Sequence, residues 1–483
     1  MCHTDTQRSG EGAACDTVPF ERVLDARLVL SIIATGIMSF SGVVVETAMN
    51  VTFPALMREF SVTTSTVQWI TTAYLLVLAA VVPTSSYLGK RFRTKTIFAT
   101  AMVFYIAGIV CGFTAQTFPM LIVGRVLEGV GTGIALPLMF NIITEQAPER
   151  NIGVMMGIGT LVTALAPAIG PSVGGWLAET FGWRAIFAAL LPLLAIAFAI
   201  GIGSIRQSHP LERRGFDIPG WLMLVGAFAA LILGVHEAGA AGLTPSTAVL
   251  LAVFLALIVG FVLWERHASA PLIDVSVFRV GRFDLCLLSL IALQFTVLGL
   301  SFLLPNYAQI VAGAGETEAG SILLPGCVLG AFLAPVSGRL LDRFGAARPI
   351  LLGSVAVVVA LVLFEVLSAH LETGAAMGVY AIFTFGQGLM TGNTMTTGLG
   401  LLAPERKADG NAIITTLQQL SGAMGTSIVT MVVNAAQASS TDLAAATLAG
   451  TREAYLLLCV VVLIPLTSMS GVFLLHRSAR RKA

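Results

Sequence analysis

Ala147-Pro148-Glu149-Arg150 lies in a short polar break between two long apolar runs, and Ala403-Pro404-Glu405-Arg406 lies in another, 256 residues further on. Working outward, Phe53-Pro54 is matched by Leu304-Pro305 at an offset of 251. Ser86-Tyr87-Leu88 and Arg91-Phe92 are matched by Gly338-Arg339-Leu340 and Arg343-Phe344 at an offset of 252. A nearly constant offset means that one unit of architecture occurs twice. The runs on either side of each break are about 20 residues or longer, enough for a helix to cross roughly 30 Å of hydrocarbon. Fourteen such runs occur, from 28–52 to 453–475. Runs 1–6 pair with runs 9–14, and runs 7 and 8 have no counterpart.

Composition supports the same class. Of 483 residues, 56% are hydrophobic and 11% charged, and mean hydropathy is +0.89. Soluble domains carry about 25% charged residues. A soluble enzyme, a disordered chain and a secreted disulfide scaffold are therefore excluded, which leaves an all-α polytopic membrane protein. A net charge of +1 gives no bulk attraction for nucleic acid. Cys111, Cys286, Cys327 and Cys459 sit in apolar runs as small hydrophobes. Cys2 and Cys15 lie in a polar tail without paired ligands, so no metal site is expected. The first apolar run is too long for a signal-peptide core.

The basic residues orient the bundle. With the N-terminus placed in the cytoplasm, 23 of the 27 Lys and Arg fall on the cytoplasmic side. Three, Arg58, Arg184 and Arg452, fall opposite, and Arg125 lies within a span. That imbalance follows the positive-inside rule and puts both termini in the cytoplasm of a multi-pass cell-membrane protein. The expected division is a tail (1–27), a six-helix bundle (28–204), a linker with two extra helices (205–283), a second six-helix bundle (284–476) and a tail (477–483).

Four stretches carry candidate chemistry. In the fifth run, Ala166-Pro167-Ala168-Ile169-Gly170-Pro171-Ser172-Val173-Gly174-Gly175 combines two prolines that bend a helix with glycines four apart that let backbones touch. In the fourth, Arg125-Val126-Leu127-Glu128-Gly129 sets two charges on one helical face in mid-bilayer, either as a mutually neutralised pair or as a proton relay. In the first, Glu46, Asn50 and Pro54 share one stripe, and a carboxyl within a span is a candidate proton or cation site. After the tenth run, Gly338-Arg339-Leu340-Leu341-Asp342-Arg343-Phe344-Gly345 offers a carboxylate at a helix end, placed to pair with neighbouring arginines.

These stretches resemble the motifs of the major facilitator superfamily. The proline-glycine stretch looks like the antiporter motif of its exporters. Fourteen spans make the chain similar to the drug:proton antiporters of the EmrB/QacA type, and Glu46-Thr47-x-x-Asn50-x-x-x-Pro54 resembles the lincomycin-exporter branch. The chain departs from the family pattern at Glu128, where Gln is usual. In the loop after the second run, Lys90 stands where the family has Asp, Ser86 replaces the first Gly and Arg93 the second.

The resemblance implies a major facilitator fold and a transporter rather than an enzyme. Protons entering through Glu46, Arg125 and Glu128 would drive amphipathic or cationic drugs outward, with no cofactor beyond the proton gradient. Pro167, Gly170, Pro171, Gly174 and Gly175 form the antiporter motif, and Gly338, Asp342, Arg343 and Gly345 the conformational latch. Polar residues within the spans either line a substrate pocket or join helices: Asn50, Trp69, Tyr74, Gln294, Asn306, Gln309, Gln387 and Asn393. Trp183-Arg184 reads as an interfacial anchor. His236-Glu237 and Glu365 fall near run ends, where solvation accounts for them. The expected partners are a small-molecule substrate, protons and the lipid bilayer. There is no P-loop and no sign of nucleotide or nucleic acid. An exporter or flippase of a physiological lipid or metabolite is the alternative. A membrane enzyme or sensor would need a catalytic cluster or a large loop domain, and the sequence offers neither.

Overall fold

The structure, a computed structural model, describes residues 24–482 apart from 63, 68, 209, 213–214, 242–243, 269–270 and 439–440. Cys2, Cys15 and nearly all of the N-terminal tail lie outside the described residues, as do the side chains of Asn50, Pro54 and His236.

Among the described residues, fourteen long helices lie in the positions of the fourteen apolar runs. They are α1 (Ala26–Val51), α2 (Trp69–Arg91), α3 (Thr94–Phe113), α4 (Phe118–Gln146), α5 (Ile152–Phe181), α6 (Arg184–Ser204) and α7 (Ile218–Ala241). They continue as α8 (Pro245–Glu265), α9 (Gly281–Ile310), α10 (Leu323–Phe344), α11 (Ala347–Leu367), α12 (Thr373–Gly400), α13 (Lys407–Ala438) and α14 (Leu443–Lys482). No strand occurs among the described residues. Caps set the ends: Asp25 accepts from the Leu28 amide at 2.9 Å, and Thr244 caps α8 ahead of Pro245. Val82–Thr84 form a 3-10 turn within α2, where Pro83 removes a backbone donor.

Among the described residues, eleven helices are long and apolar enough to cross a membrane. The count is twelve with α5, which bends by 42° between Pro167 and Ile169. Helices α12 and α13, of 28 and 32 residues, fall short of that apolarity because they carry Gly, Thr, Asn, Gln and Asp409. Much of this polar content is buried against other helices, where it meets no lipid.

The packing repeats as the sequence does. In the first bundle, α1 lies against α4, α5 and α6, and α3 against α4 and α6. In the second, α9 lies against α12, α13 and α14, and α11 against α12 and α14. The bundles meet along two seams, α5 with α10 and α12, and α13 with α2 and α4. Helix α7 lies over the second seam, touching both α2 and α13, and Trp221 donates to the Ala80 carbonyl at 2.9 Å. Helix α8 packs chiefly on α7, and its Val249, Leu255 and Val259 stay more than half exposed. Such a face is stable only in an apolar solvent.

Charged side chains gather at one end, hereafter the basic end, where Lys90, Arg206, Arg343 and Arg406 lie. At the opposite end, the short helix Phe53–Phe60 is tied down through Glu59. It accepts from Trp183 Nε1 at 2.6 Å and pairs with Arg184 at 2.8 Å, while Arg184 also reaches the Ala115 carbonyl at 2.5 Å. Trp183-Arg184 thus clamps the loop after α1 to the α5–α6 corner. Partial burial works to raise the Glu59 pKa, but Trp183 and Arg184 outweigh it and hold the carboxyl below its ordinary range.

Candidate functional site

The charged centre of the first bundle is built on α4. Arg125 and Glu128 are both fully buried, and Arg125 Nη1 meets Glu128 Oε2 at 2.5 Å. Three residues apart, they share one helical face. The guanidinium Nε donates to the Ile70 carbonyl at 3.2 Å, and its carbon lies 4.4 Å from the centre of the Tyr74 ring. Tyr74 donates to the Gly42 carbonyl at 3.3 Å, which joins α2 to α1. A lone charge in this setting would be prohibitive, and the pair, the ring and the carbonyl together make it tolerable. The fit is incomplete: Arg125 Nη2, Glu128 Oε1 and the Tyr105 hydroxyl are buried without a hydrogen-bond partner among the described residues.

Glu46 on α1 lies beside this cluster. It is half-buried and within electrostatic reach of Arg125 and Tyr74. Arg125 spends its close contact on Glu128, so the Glu46 carboxyl is not clasped by the guanidinium. The cluster therefore presents two carboxyls around one cation, in a bundle otherwise lined by Tyr74 and Tyr105.

The proline-glycine stretch of α5 presses against α1 at the residues next to Glu46. A Cβ at Gly170 would collide with Thr47, and one at Gly174 with Ala48. Only glycine admits this approach. Pro167 and Pro171 lie inside the helix at its bend, and Gly175 faces Val51. The bent segment of α5 thus lies directly against the segment of α1 that carries Glu46.

Asp342 takes a different partner from the one expected. It accepts from the Gly153 and Val154 amides at 3.2 and 3.3 Å rather than from arginines. The first turn of α5 has amides with no partner inside the helix and a dipole that favours an anion. Gly153 and Gly338 leave no side chain between the helices, so the carboxylate reaches those amides directly. Arg343 instead rests over the Phe344 ring at 5.2 Å, and Gly345 turns the chain out of α10 at φ +77°.

The remaining polar candidates scatter. Asn393 is buried and gives its amide hydrogens to Ser337 Oγ at 2.7 Å and the Leu389 carbonyl at 2.9 Å, fastening α12 to α10. Trp69 is about half exposed at the start of α2. Gln294 and Gln387 are half-buried on α9 and α12, Gln309 is exposed near the end of α9, and Asn306 Oδ1 is buried without a partner among the described residues. Glu365, expected in water, pairs with Arg452 at 3.5 Å and has one buried oxygen.

Two features were missed. Lys90 forms an ion pair with Asp409 on α13 at 2.7 Å, and Ser86 also donates to Asp409. Asn411, two residues on, donates to Asn141 Oδ1 at 2.6 Å and to the Pro137 carbonyl at 3.0 Å. The repeat held the signal: the offset of 252 carries Lys90 onto Asp342, and 256 carries Gly153 onto Asp409. Among the described residues no group of three His, Cys, Asp or Glu is placed to hold a metal ion.

Comparison with known proteins agrees with this architecture. Residues 35–426 match the Major Facilitator Superfamily. The chain is 33% identical over 410 residues to the lincomycin resistance protein LmrB of Listeria monocytogenes, covering 84% of this chain and 87% of that one. It is 29% identical over 394 residues to a multidrug resistance protein B homolog of Mycobacterium tuberculosis, covering 80% and 73%. Its fold is similar to that of the human organic anion transporter MFSD10, with a TM-score of 0.64 at 13% identity over 92% of this chain and all of that one. A duplicated helical bundle, a match over most of its length and a relative one-third identical lead to one assignment: the chain belongs to the major facilitator superfamily, as a multi-pass membrane transporter and not an enzyme.

Proposed function

We propose that the protein exports amphipathic or cationic small molecules, antibiotics and dyes among them, in exchange for protons. It does so through fourteen spans, with both termini in the cytoplasm and the basic end facing it. The observation that carries this reading is the cluster at Arg125. A buried guanidinium has its charge met by Glu128, while a second carboxyl, Glu46, stands within its field and is only partly buried. A carboxyl in that position gains and loses a proton as the two halves tilt and its exposure to water changes. Deprotonated, Glu46 holds a cationic substrate by charge. Protonated, it releases it. The antiporter stretch on α5 couples the two events because it bears on Thr47 and Ala48, next to the carboxyl. Resistance proteins among the relatives support drugs as the substrate class.

The test uses purified protein in liposomes with an imposed pH gradient. Ethidium and lincomycin flux should follow the gradient and vanish when it is collapsed. Glu46→Gln should weaken binding of the cation ethidium and lose gradient-driven flux by roughly tenfold or more. Full coupling in Glu46→Gln would remove this carboxyl from the mechanism. Flux that ignores the gradient would favour a lipid or metabolite flippase instead.

A further inference from the structure

Both seams between the bundles are closed at the basic end, by contacts that occupy equivalent places in the repeat. On one seam Asp342, at the end of α10, binds the first turn of α5 at Gly153 and Val154. On the other Lys90, at the end of α2, binds the first turn of α13 at Asp409. The offsets of the repeat carry Lys90 onto Asp342 and Asp409 onto Gly153. The chemistry differs. In the second seam the carboxylate belongs to the receiving helix, where the α13 dipole favours it, and the approaching helix supplies a cation.

We propose that Lys90 and Asp409 form a charge-exchanged clamp that closes the basic end, and that it is the slower of the two clamps to open. Three observations support the pairing. Asp409 is almost fully buried, with its side chain 2% exposed, whereas Lys90 is 16% exposed. Ser86 donates to the other carboxylate oxygen, so both oxygens are engaged. Asn411 ties the same turn of α13 to α4 through Asn141 and Pro137. Separating this seam leaves a buried carboxylate without its cation until water reaches it. Separating the other returns Asp342, on the surface of the bundle, to solvent at once. Opening of the basic end therefore starts between α5 and α10 and finishes between α2 and α13.

The clamp is tested without substrate, by electron spin resonance distances in the purified full-length chain. One label pair, on Glu149 and Arg343, spans the α5–α10 seam. A second, on Arg93 and Glu405, spans the α2–α13 seam. Lys90→Asp should lengthen the second distance and lower ethidium flux at least tenfold. The exchanged double variant, Lys90→Asp with Asp409→Lys, should restore the short distance and at least a third of the flux. Lys90→Arg should keep both near the parent values. Asp342→Asn should lengthen the first distance while the second stays short. A double variant that stays monodisperse and thermally stable, yet remains as open as Lys90→Asp, overturns the clamp. An Asp342→Asn variant that opens both seams equally overturns the order. The clamp's effect on flux rests on the exporter reading above. Distances that respond while flux shows no proton dependence would leave the clamp standing and remove that reading.

Discussion

A guanidinium buried within a helical bundle constrains every neighbour it has. Arg125 reaches Glu128, the Ile70 carbonyl and the Tyr74 ring, drawing on α4 and α2, while Tyr74 extends the link to α1. Removing one member of a buried pair costs about 3–5 kcal/mol, because the other charge is left without compensation. Glu128→Leu should therefore lower the unfolding midpoint in detergent markedly. Arg125→Met combined with Glu128→Leu should recover most of that stability while abolishing transport. A double variant as unstable as the single one would mean that the pair does more than cancel charge. The pair was legible from sequence as one of two readings, since three-residue spacing puts both charges on one helical face. The Tyr74 ring beneath it was not, because its place depends on how α2 crosses α4 and no local pattern encodes that. Asp342 was misread for a related reason. Backbone amides at a helix start carry no letter in the sequence, so an anion at a loop suggests arginines before it suggests a helix N-terminus.

At the scale of single elements, α5 and the short helix Phe53–Phe60 carry the sharpest consequences. Gly170→Ala places a methyl group against Thr47 and should cost about 1–3 kcal/mol as overpacking. Thr47→Ala in the same chain should return part of it, and thermal unfolding of the four proteins measures the coupling. Glu59 holds the short helix to Trp183 and Arg184 with a carboxyl below its ordinary pKa. A depressed folded value means the contribution is complete above the unfolded value, near 4.5, and fades as pH falls through the folded one. Stability measured from pH 7 down to 3 should fall less steeply in Glu59→Gln than in the parent, and identical slopes would show that Glu59 contributes nothing. Helix positions were readable almost throughout, because apolar length is a strong signal. Helices α12 and α13 were read as apolar runs like the others, yet they fall short of the apolarity of the rest, since buried helices in a bundle tolerate Gly, Thr and Asn. The helix ends were less readable: α14 runs to Lys482, past the apolar run that ends near 475, because a helix once nucleated propagates at little cost.

For the whole molecule, the repeat is the most informative feature of the chain. Four short matches at offsets of 251 to 256 foretold that every principal packing pair in α1–α6 has a counterpart in α9–α14. The same offsets carry the two seam contacts onto one another, although their charges are exchanged. The position of α7 could not be foretold, since nothing in 218–241 marks which seam it covers. That position gives the molecule a front and a back. Helix α7 screens the α2–α13 junction, while along α5 and α10 Trp176, Phe332 and Val336 remain exposed. Acyl chains therefore touch the boundary between the bundles on one flank only. A hydrophobic compound dissolved in the leaflet meets a handed object, with a bare junction on one side and a shuttered one on the other.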